Sequence, residues 1–191
     1  LKTVEFLDLS FSASGLLRGT RFVEMLGETM GATTFEELKV PLKIVASAYW
    51  RSEQVVLDSG DLLEAIRASM SLPGLFTPVE HGEYTLIDGG GVNPVPHDLL
   101  DDCDEVIAID VMGFPEAQRP DAPNLFRSII GMFEVMQNTI IDQRIRAHPP
   151  ALYLKPRLEG VELLDFHESE RIYASTRSTV DQLRNWLDQR G

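Results

Sequence analysis

The side chains best placed to do chemistry in this chain lie between Ala68 and Pro96. One run reads Ala-Ser-Met-Ser-Leu-Pro-Gly-Leu-Phe-Thr-Pro, from Ala68 to Pro78. The other reads Leu-Ile-Asp-Gly-Gly-Gly-Val-Asn-Pro-Val-Pro, from Leu86 to Pro96. In the second run an apolar strand end delivers one carboxylate, Asp88. Gly89 and Gly90 follow it, with no Cβ to crowd an approaching group and with tolerance for positive φ and for close backbone contact. A carboxylate presented in this way can act as a general base. An aspartate at a strand end can equally well cap a turn or a helix through backbone N–H groups. The local residues leave both readings open.

Other side chains compete for a chemical role. Ser69 and Ser71 stand at the end of a helix-like stretch, where serine usually bonds backbone. Their expected work is to pack the Pro73-Gly74 turn beside the Asp88 loop. Ser12 and Ser14 read as loop residues. The histidines are His81, His97, His148 and His167. His97 is nearest to Asp88 in sequence and is the one positioned to line a site mouth. No His, Cys, Asp or Glu cluster has metal-ligand spacing, so no metal and no cofactor is implied. Cys103, the one cysteine, sits in Asp-Asp-Cys-Asp-Glu. Carboxylates on both sides disfavour a thiolate, and it reads as structural.

The totals exclude several classes. A net charge of −13 speaks against nucleic acid as partner and against electrostatic docking on an anionic membrane. A lipid would have to be captured by apolar surface. No apolar run approaches the ~20 residues of a spanning helix. A single cysteine excludes internal disulfides and fits a reducing, cytoplasmic setting. Leu1 to Glu5 show no signal-peptide pattern.

The elements that must position Asp88 follow from periodicity and caps. Thr20 to Met30 is predicted helical with Gly31 as its stop, and Thr33 to Glu37 opens a short helical turn by a capping box. Leu42 to Tyr49 and Gln54 to Leu57 read as strands. Asp61 caps a helix running to about Ser69, and Tyr84 to Ile87 is a strand ending in Asp88. Residues 89–97 form a loop. Glu105 to Val111 has the apolar run of a strand covered on both faces. Pro115 to Pro123 is linker-like. Asn124 to Ala147 is an amphipathic helix whose Phe126, Ile129, Ile130, Phe133, Met136, Ile140 and Ile141 are expected inside, and Met132 reads as core in preference to a lipid groove. Ala151 to Lys155 is a strand. Ser169 to Gln189 is one helix, with Ile172, Val180, Leu183 and Leu187 inward. Alternating helices and short buried strands predict an α/β layered domain with a largely parallel central sheet flanked by helices, residues 1–191 forming one domain.

The motif set resembles the patatin-like phospholipases, a family of serine lipid hydrolases, and within it the bacterial branch related to neuropathy target esterase. Gly15-Leu-Leu-Arg-Gly19 before a helix, Pro41 to Ala46, Ala65 to Pro78, Asp88-Gly89-Gly90, Asn93-Pro94 in shifted form and Val106 to Val111 carry the likeness, which covers residues 15–174. An Asp-Gly-Gly triplet alone is weak; joined to Ser-x-Pro-Gly-x-Phe-x-Pro upstream it is specific. The resemblance implies a Ser–Asp dyad, with Asp88 as base, Gly89, Gly90, Pro73 and Gly74 as backbone support, and a phospholipid, lysophospholipid or simple ester as substrate. It also implies peripheral contact with a membrane.

Two family features do not occur in these 191 residues: a glycine-rich oxyanion loop and a Gly-x-Ser-x-Gly nucleophile elbow. The expectation is therefore the carboxyl-side part of a patatin-like domain without its strand–elbow–helix unit, inactive by itself. A non-catalytic patatin-fold lipid- or protein-binding module is the alternative. A generic α/β-hydrolase with a triad histidine is a third reading, open to His97, His148 or His167.

Overall fold

The computed structural model describes residues 9–12, 15–112, 125–158 and 169–190. The chain divides into two compact units, residues 2–96 and 97–191.

The first unit runs β1 (Leu9–Ser12), β2 (Gly15–Leu17), α1 (Thr20–Met30), a 3-10 turn at Phe35–Glu37, β3 (Ile44–Ala48), β4 (Glu53–Leu57), α2 (Leu62–Ser69), β5 (Gly74–Phe76), β6 (Val79–His81) and β7 (Tyr84–Asp88), which passes directly into a 3-10 turn at Gly89–Gly91. Local signals set several of these bounds. Gly31 ends α1 at φ 66°, donating its amide to Gly27. Thr34 and Glu37 close the capping box of the first 3-10 turn. The Asp61 side chain accepts the Glu64 amide at 2.8 Å and starts α2.

The main sheet has strand order β4-β3-β7-β6, and every pairing in it is antiparallel. The expected largely parallel central sheet is therefore corrected, while the α/β class stands. The reason is loop length. Residues 49–52 alone join β3 to β4, and Gly82-Glu83 alone joins β6 to β7. A parallel connection needs a crossover of a dozen or more residues. A second sheet, β1-β2-β5, contains one parallel pair, β2 with β5. It places β2 and Ser12, at the end of β1, in strands where a turn and a loop were expected. Ser14 lies outside the described residues.

The helix α2 packs on the main sheet through small residues. Ala46, Ala48, Ala68 and Leu86 form one buried cluster, flanked by Val55, Leu57, Val79 and Tyr84. Ala32, Phe35, Leu62 and Ala65 form the neighbouring one. Alanines on both helix and sheet let the two approach closely, and Leu86, fully buried on the strand that ends in Asp88, fills the layer between them.

The second unit contains β8 (Ile107–Ile109), α3 (Leu125–Ala147), β9 (Leu152–Leu154), α4 (Ser169–Ser175) and α5 (Arg177–Asp188). β8 and β9 pair in parallel, with α3 between them in sequence. The linker-like stretch Pro115 to Pro123 lies outside the described residues. On α3, Ile141 and Gln137 are buried and Ile130, Phe133 and Ile140 are half-buried. Ile129, Met132 and Met136 are exposed, together with Leu125 and Val135, against the expectation that the apolar residues share one inward face. At about 100° per residue, residues 125, 129, 132 and 136 centre roughly a third of a turn from 130, 133, 137 and 141, so the apolar face is wider than one packed stripe. The expected single helix from Ser169 is two. The Ser175 and Thr176 hydroxyls bond carbonyls three residues back, competing with the helical ladder at the break. Val180 and Leu187, expected inward, are exposed on α5, while Ile172 and Leu183 are half-buried.

The interior of this unit is held partly by a polar network. Asp110, fully buried after β8, accepts from the Tyr153 hydroxyl at 2.7 Å, from Lys155 Nζ at 2.8 Å and from the Met112 amide at 2.9 Å. Lys155 also reaches Asn138 of α3 at 2.8 Å. Burial, then the Asp110 carboxylate, pushes the Tyr153 phenol well above its ordinary value.

Leu86→Ala should lower unfolding free energy by about 2–5 kcal/mol in urea titrations, since the alanine-lined layer around it has little side chain with which to refill the space.

Candidate active site

Asp88 is the last residue of β7, opposite Ala46 of β3. Its main chain is held from two sides. The Asp88 amide donates to the Ser71 carbonyl at 3.0 Å, and the Asp88 carbonyl accepts from Ser47 Oγ at 2.7 Å. The chain then turns into Gly89–Gly91. A Cβ on Gly89 would stand 2.1 Å from the Val45 carbonyl oxygen, so no side chain fits there. Positive φ plays no part at Gly89, Gly90 or Gly91. The need for glycine at position 89 is close backbone approach to β3, one of the two tolerances expected of these glycines; the other, positive φ, is not used.

The Asp88 side chain is half-buried. Oδ1 accepts the Gly90 amide at 2.7 Å and caps the 3-10 turn. The capping reading left open by the residues is therefore realised. It occupies one oxygen; among the described residues no donor reaches Oδ2 and no cation pairs with the carboxylate. Burial pushes the Asp88 carboxyl above its ordinary 3.8, and the Gly90 hydrogen bond offsets part of that rise. One oxygen is oriented and the other is open, in a group made more basic by desolvation. That is what a general base requires.

The segment from α2 to β5 supports this arrangement. Leu72-Pro73-Gly74-Leu75 is a turn closed by the Leu75 amide on the Leu72 carbonyl at 3.1 Å. Gly74 has φ 84°, the value for glycine after proline in a type II turn. Pro73 and Gly74 are exposed, so they shape the backbone and make no buried contact. Ser71 is fully buried and its hydroxyl is engaged twice, donating to the Arg67 carbonyl at 2.6 Å and accepting from the Arg67 guanidinium at 2.5 Å. A hydroxyl so committed is no nucleophile, and its carbonyl is what reaches Asp88.

Two of the histidines, His81 and His97, are engaged elsewhere, and His148 is exposed after α3. His81 is exposed, with Nδ1 2.6 Å from Glu64. His97 is buried, with Nε2 2.7 Å from the His148 carbonyl. His167 lies outside the described residues. Cys103 is exposed and free. Among the described residues no group of three His, Cys, Asp or Glu is placed to hold a metal.

Sequence reasoning missed Ser47, Val45 and Arg67. A lone serine inside the apolar strand Ile-Val-Ala-Ser-Ala was the available signal for Ser47. Nothing local marks Val45, whose contribution is a carbonyl. Arg67 is four residues from Ser71 on the same helix, but its other partner, Thr77, is reached only through the fold.

A family model described as patatin-like phospholipase matches residues 2–101. This chain belongs to that family. Among curated patatin-like relatives, an NTE family protein of Mycobacterium tuberculosis is 31% identical over 143 residues, 69% of this chain and 40% of that protein. A second NTE family protein of the same organism is 34% identical over 106 residues, 54% of this chain and 18% of that protein. The lysophospholipase NTE1 of Saccharomyces cerevisiae is 26% identical over 191 residues, 87% of this chain and 11% of that protein. The chain therefore spans about two fifths or less of the length of these relatives.

The raised Asp88 carboxyl has a consequence for stability. Between its unfolded and folded values the native state holds more protons than the unfolded state, so stability falls as pH rises through that window. Above it the ionised Asp88 remains a liability. Asp88→Asn should therefore melt at higher temperature than the parent at pH 7, with the gap closing below about pH 3.8, as followed by thermal denaturation across pH.

Proposed function

We propose that this domain supplies the general base of a serine lipid acyl hydrolase, with Asp88 paired to a serine that these 191 residues do not carry in a Gly-x-Ser-x-Gly turn. The observation that supports the reading is the Asp88 carboxylate itself: half-buried, oriented by the Gly90 amide at Oδ1 and, among the described residues, without a cation and open at Oδ2. Family membership and a lysophospholipase among the relatives support ester-linked lipid as the substrate class.

In this mechanism Oδ2 of Asp88 takes the serine proton as the serine oxygen attacks the ester carbonyl. The proton then passes to the departing alcohol and leaves an acyl-enzyme. Asp88 next takes a proton from water, which attacks the acyl carbon, and returns it to the serine as the fatty acid departs. Backbone donors for the oxyanion must come from outside the residues identified here, and each is worth on the order of 100-fold in rate. Desolvation of Asp88 suits it to this role, because a carboxylate at its ordinary value is too weak a base near neutral pH. Peripheral membrane contact in a chain of charge −13 rests on apolar capture and gains nothing from anionic headgroups. No described helix is long and apolar enough to cross a membrane.

In the full-length protein, Asp88→Asn should abolish hydrolysis of a nitrophenyl ester and of lysophospholipid while circular dichroism stays unchanged. The acid limb of the parent's pH–rate profile should fall above pH 3.8. The 191-residue chain alone should show no turnover above background. Full turnover by the Asp88→Asn protein would assign the base elsewhere. A full-length parent with no esterase activity would favour the non-catalytic binding module.

A further inference from the structure

Arg67, in the last turn of α2, clamps the segment on which the Asp88 main chain rests. Nη1 donates to Ser71 Oγ at 2.5 Å. Nη2 donates to both the carbonyl oxygen and Oγ1 of Thr77 at 2.7 Å. The guanidinium also lies 5.7 Å from the centre of the Phe76 ring. The Ser71 hydroxyl donates back to the Arg67 carbonyl at 2.6 Å. One planar fork thus fastens both ends of the Ser71–Thr77 loop. Thr77 is anchored further by its amide on the Leu17 carbonyl at 3.0 Å, which joins the loop to β2.

This loop meets the site at one place, the Ser71 carbonyl that accepts the Asp88 amide. The opposite side of Asp88 is set by Ser47 and by the contact of Gly89 with β3. We propose that Arg67 is a positioning residue for Asp88, fixing the Ser71 carbonyl so that one carboxylate oxygen stays on the Gly90 amide and the other stays open. The proposal rests on the reading of Asp88 as general base, and it adds a residue that acts without touching it. The guanidinium bonds Ser71 and Thr77, so it acts on Asp88 through the geometry of the loop. A lysine keeps the charge but has a single nitrogen, which cannot span Ser71 and Thr77 as a fork does.

The test uses the isotopically labelled 191-residue chain. Amide exchange and pH titration by NMR are followed at Gly90, whose N–H reports the Asp88 carboxylate directly. In Arg67→Lys and Arg67→Gln, exchange at Asp88 and Gly90 should quicken by about tenfold or more, and the Gly90 response to Asp88 protonation should fall by about half. Amides of β4 should stay unchanged. Wild-type behaviour of the lysine variant would overturn the geometric clamp, and wild-type Gly90 signals in the glutamine variant would overturn positioning altogether. If either variant does not fold, Ser71→Ala and Thr77→Val remove the side-chain acceptors singly. They should give smaller changes of the same kind at Gly90, and unaltered signals in both would equally refute the proposal. In the full-length protein the Arg67→Lys change should lower kcat with KM held within about twofold, since a displaced base weakens the transition state and not ground-state binding. The Gly90 signals decide the clamp whether or not the protein turns over an ester, so failure of the hydrolase reading remains separable.

Discussion

The main chain of Gly89 lies against the Val45 carbonyl so closely that a Cβ would stand 2.1 Å from the oxygen. That approach determines how β7 ends. Asp88 still pairs with Ala46, but the next residue is pressed against β3 and the backbone coils at once into a 3-10 turn. Coiling brings the Gly90 amide to within 2.7 Å of the Asp88 carboxylate, two residues back. A steric condition on one glycine thus produces the hydrogen bond that orients the Asp88 carboxylate. A bulkier residue at position 89 would push the turn off the sheet and take the Gly90 donor with it.

The rest of the first unit serves to hold that contact in register. β3 must be central and must carry small residues, because α2 packs on one side of it through Ala65 and Ala68 while the glycine turn crowds its edge. Ser47 is the one polar side chain of β3, and its hydroxyl is used on the Asp88 carbonyl. Leu86, two residues before Asp88, anchors β7 in the core. Alternation along a strand then sends Asp88 to the same face as Leu86, at the margin where the helix layer ends and partial burial is possible.

What could be read from residues alone was what depends on neighbours in sequence. Asp61 and Gly31 mark helix ends by chemistry within four residues, and both act as anticipated. Asp88 closing a strand before glycines was legible for the same reason. Sheet direction was not, because β5 and β6 are three residues each and too short for a periodic signal. The exposed row on α3 escaped because apolar spacing of three and four cannot by itself say which part of a wide apolar face finds a partner. The Arg67–Thr77 contact and the Val45 carbonyl arise only after folding, and no spacing rule reaches them.

Asp88 and Asp110 show how differently two strand-end carboxylates can be held. Both follow an apolar strand. Both accept an amide two residues on, from Gly90 and from Met112. Their remaining neighbours differ. Asp110 is fully buried, and its second oxygen is taken by Lys155 and Tyr153, so its lone pairs are engaged and its charge compensated. Removing a partner from such a cluster leaves a buried charge uncovered, which is a structural role. Asp88 has no lysine or tyrosine beside it among the described residues. Partial burial there raises the carboxyl, where a cation would lower it. Asp88 thus takes part in no ion pair among the described residues, whereas Asp110 holds the contacts that join β8 to β9 and, through Lys155 and Asn138, to α3. Of two carboxylates that look alike in sequence, one is locked into the interior and the other is left with an oxygen uncompensated among the described residues.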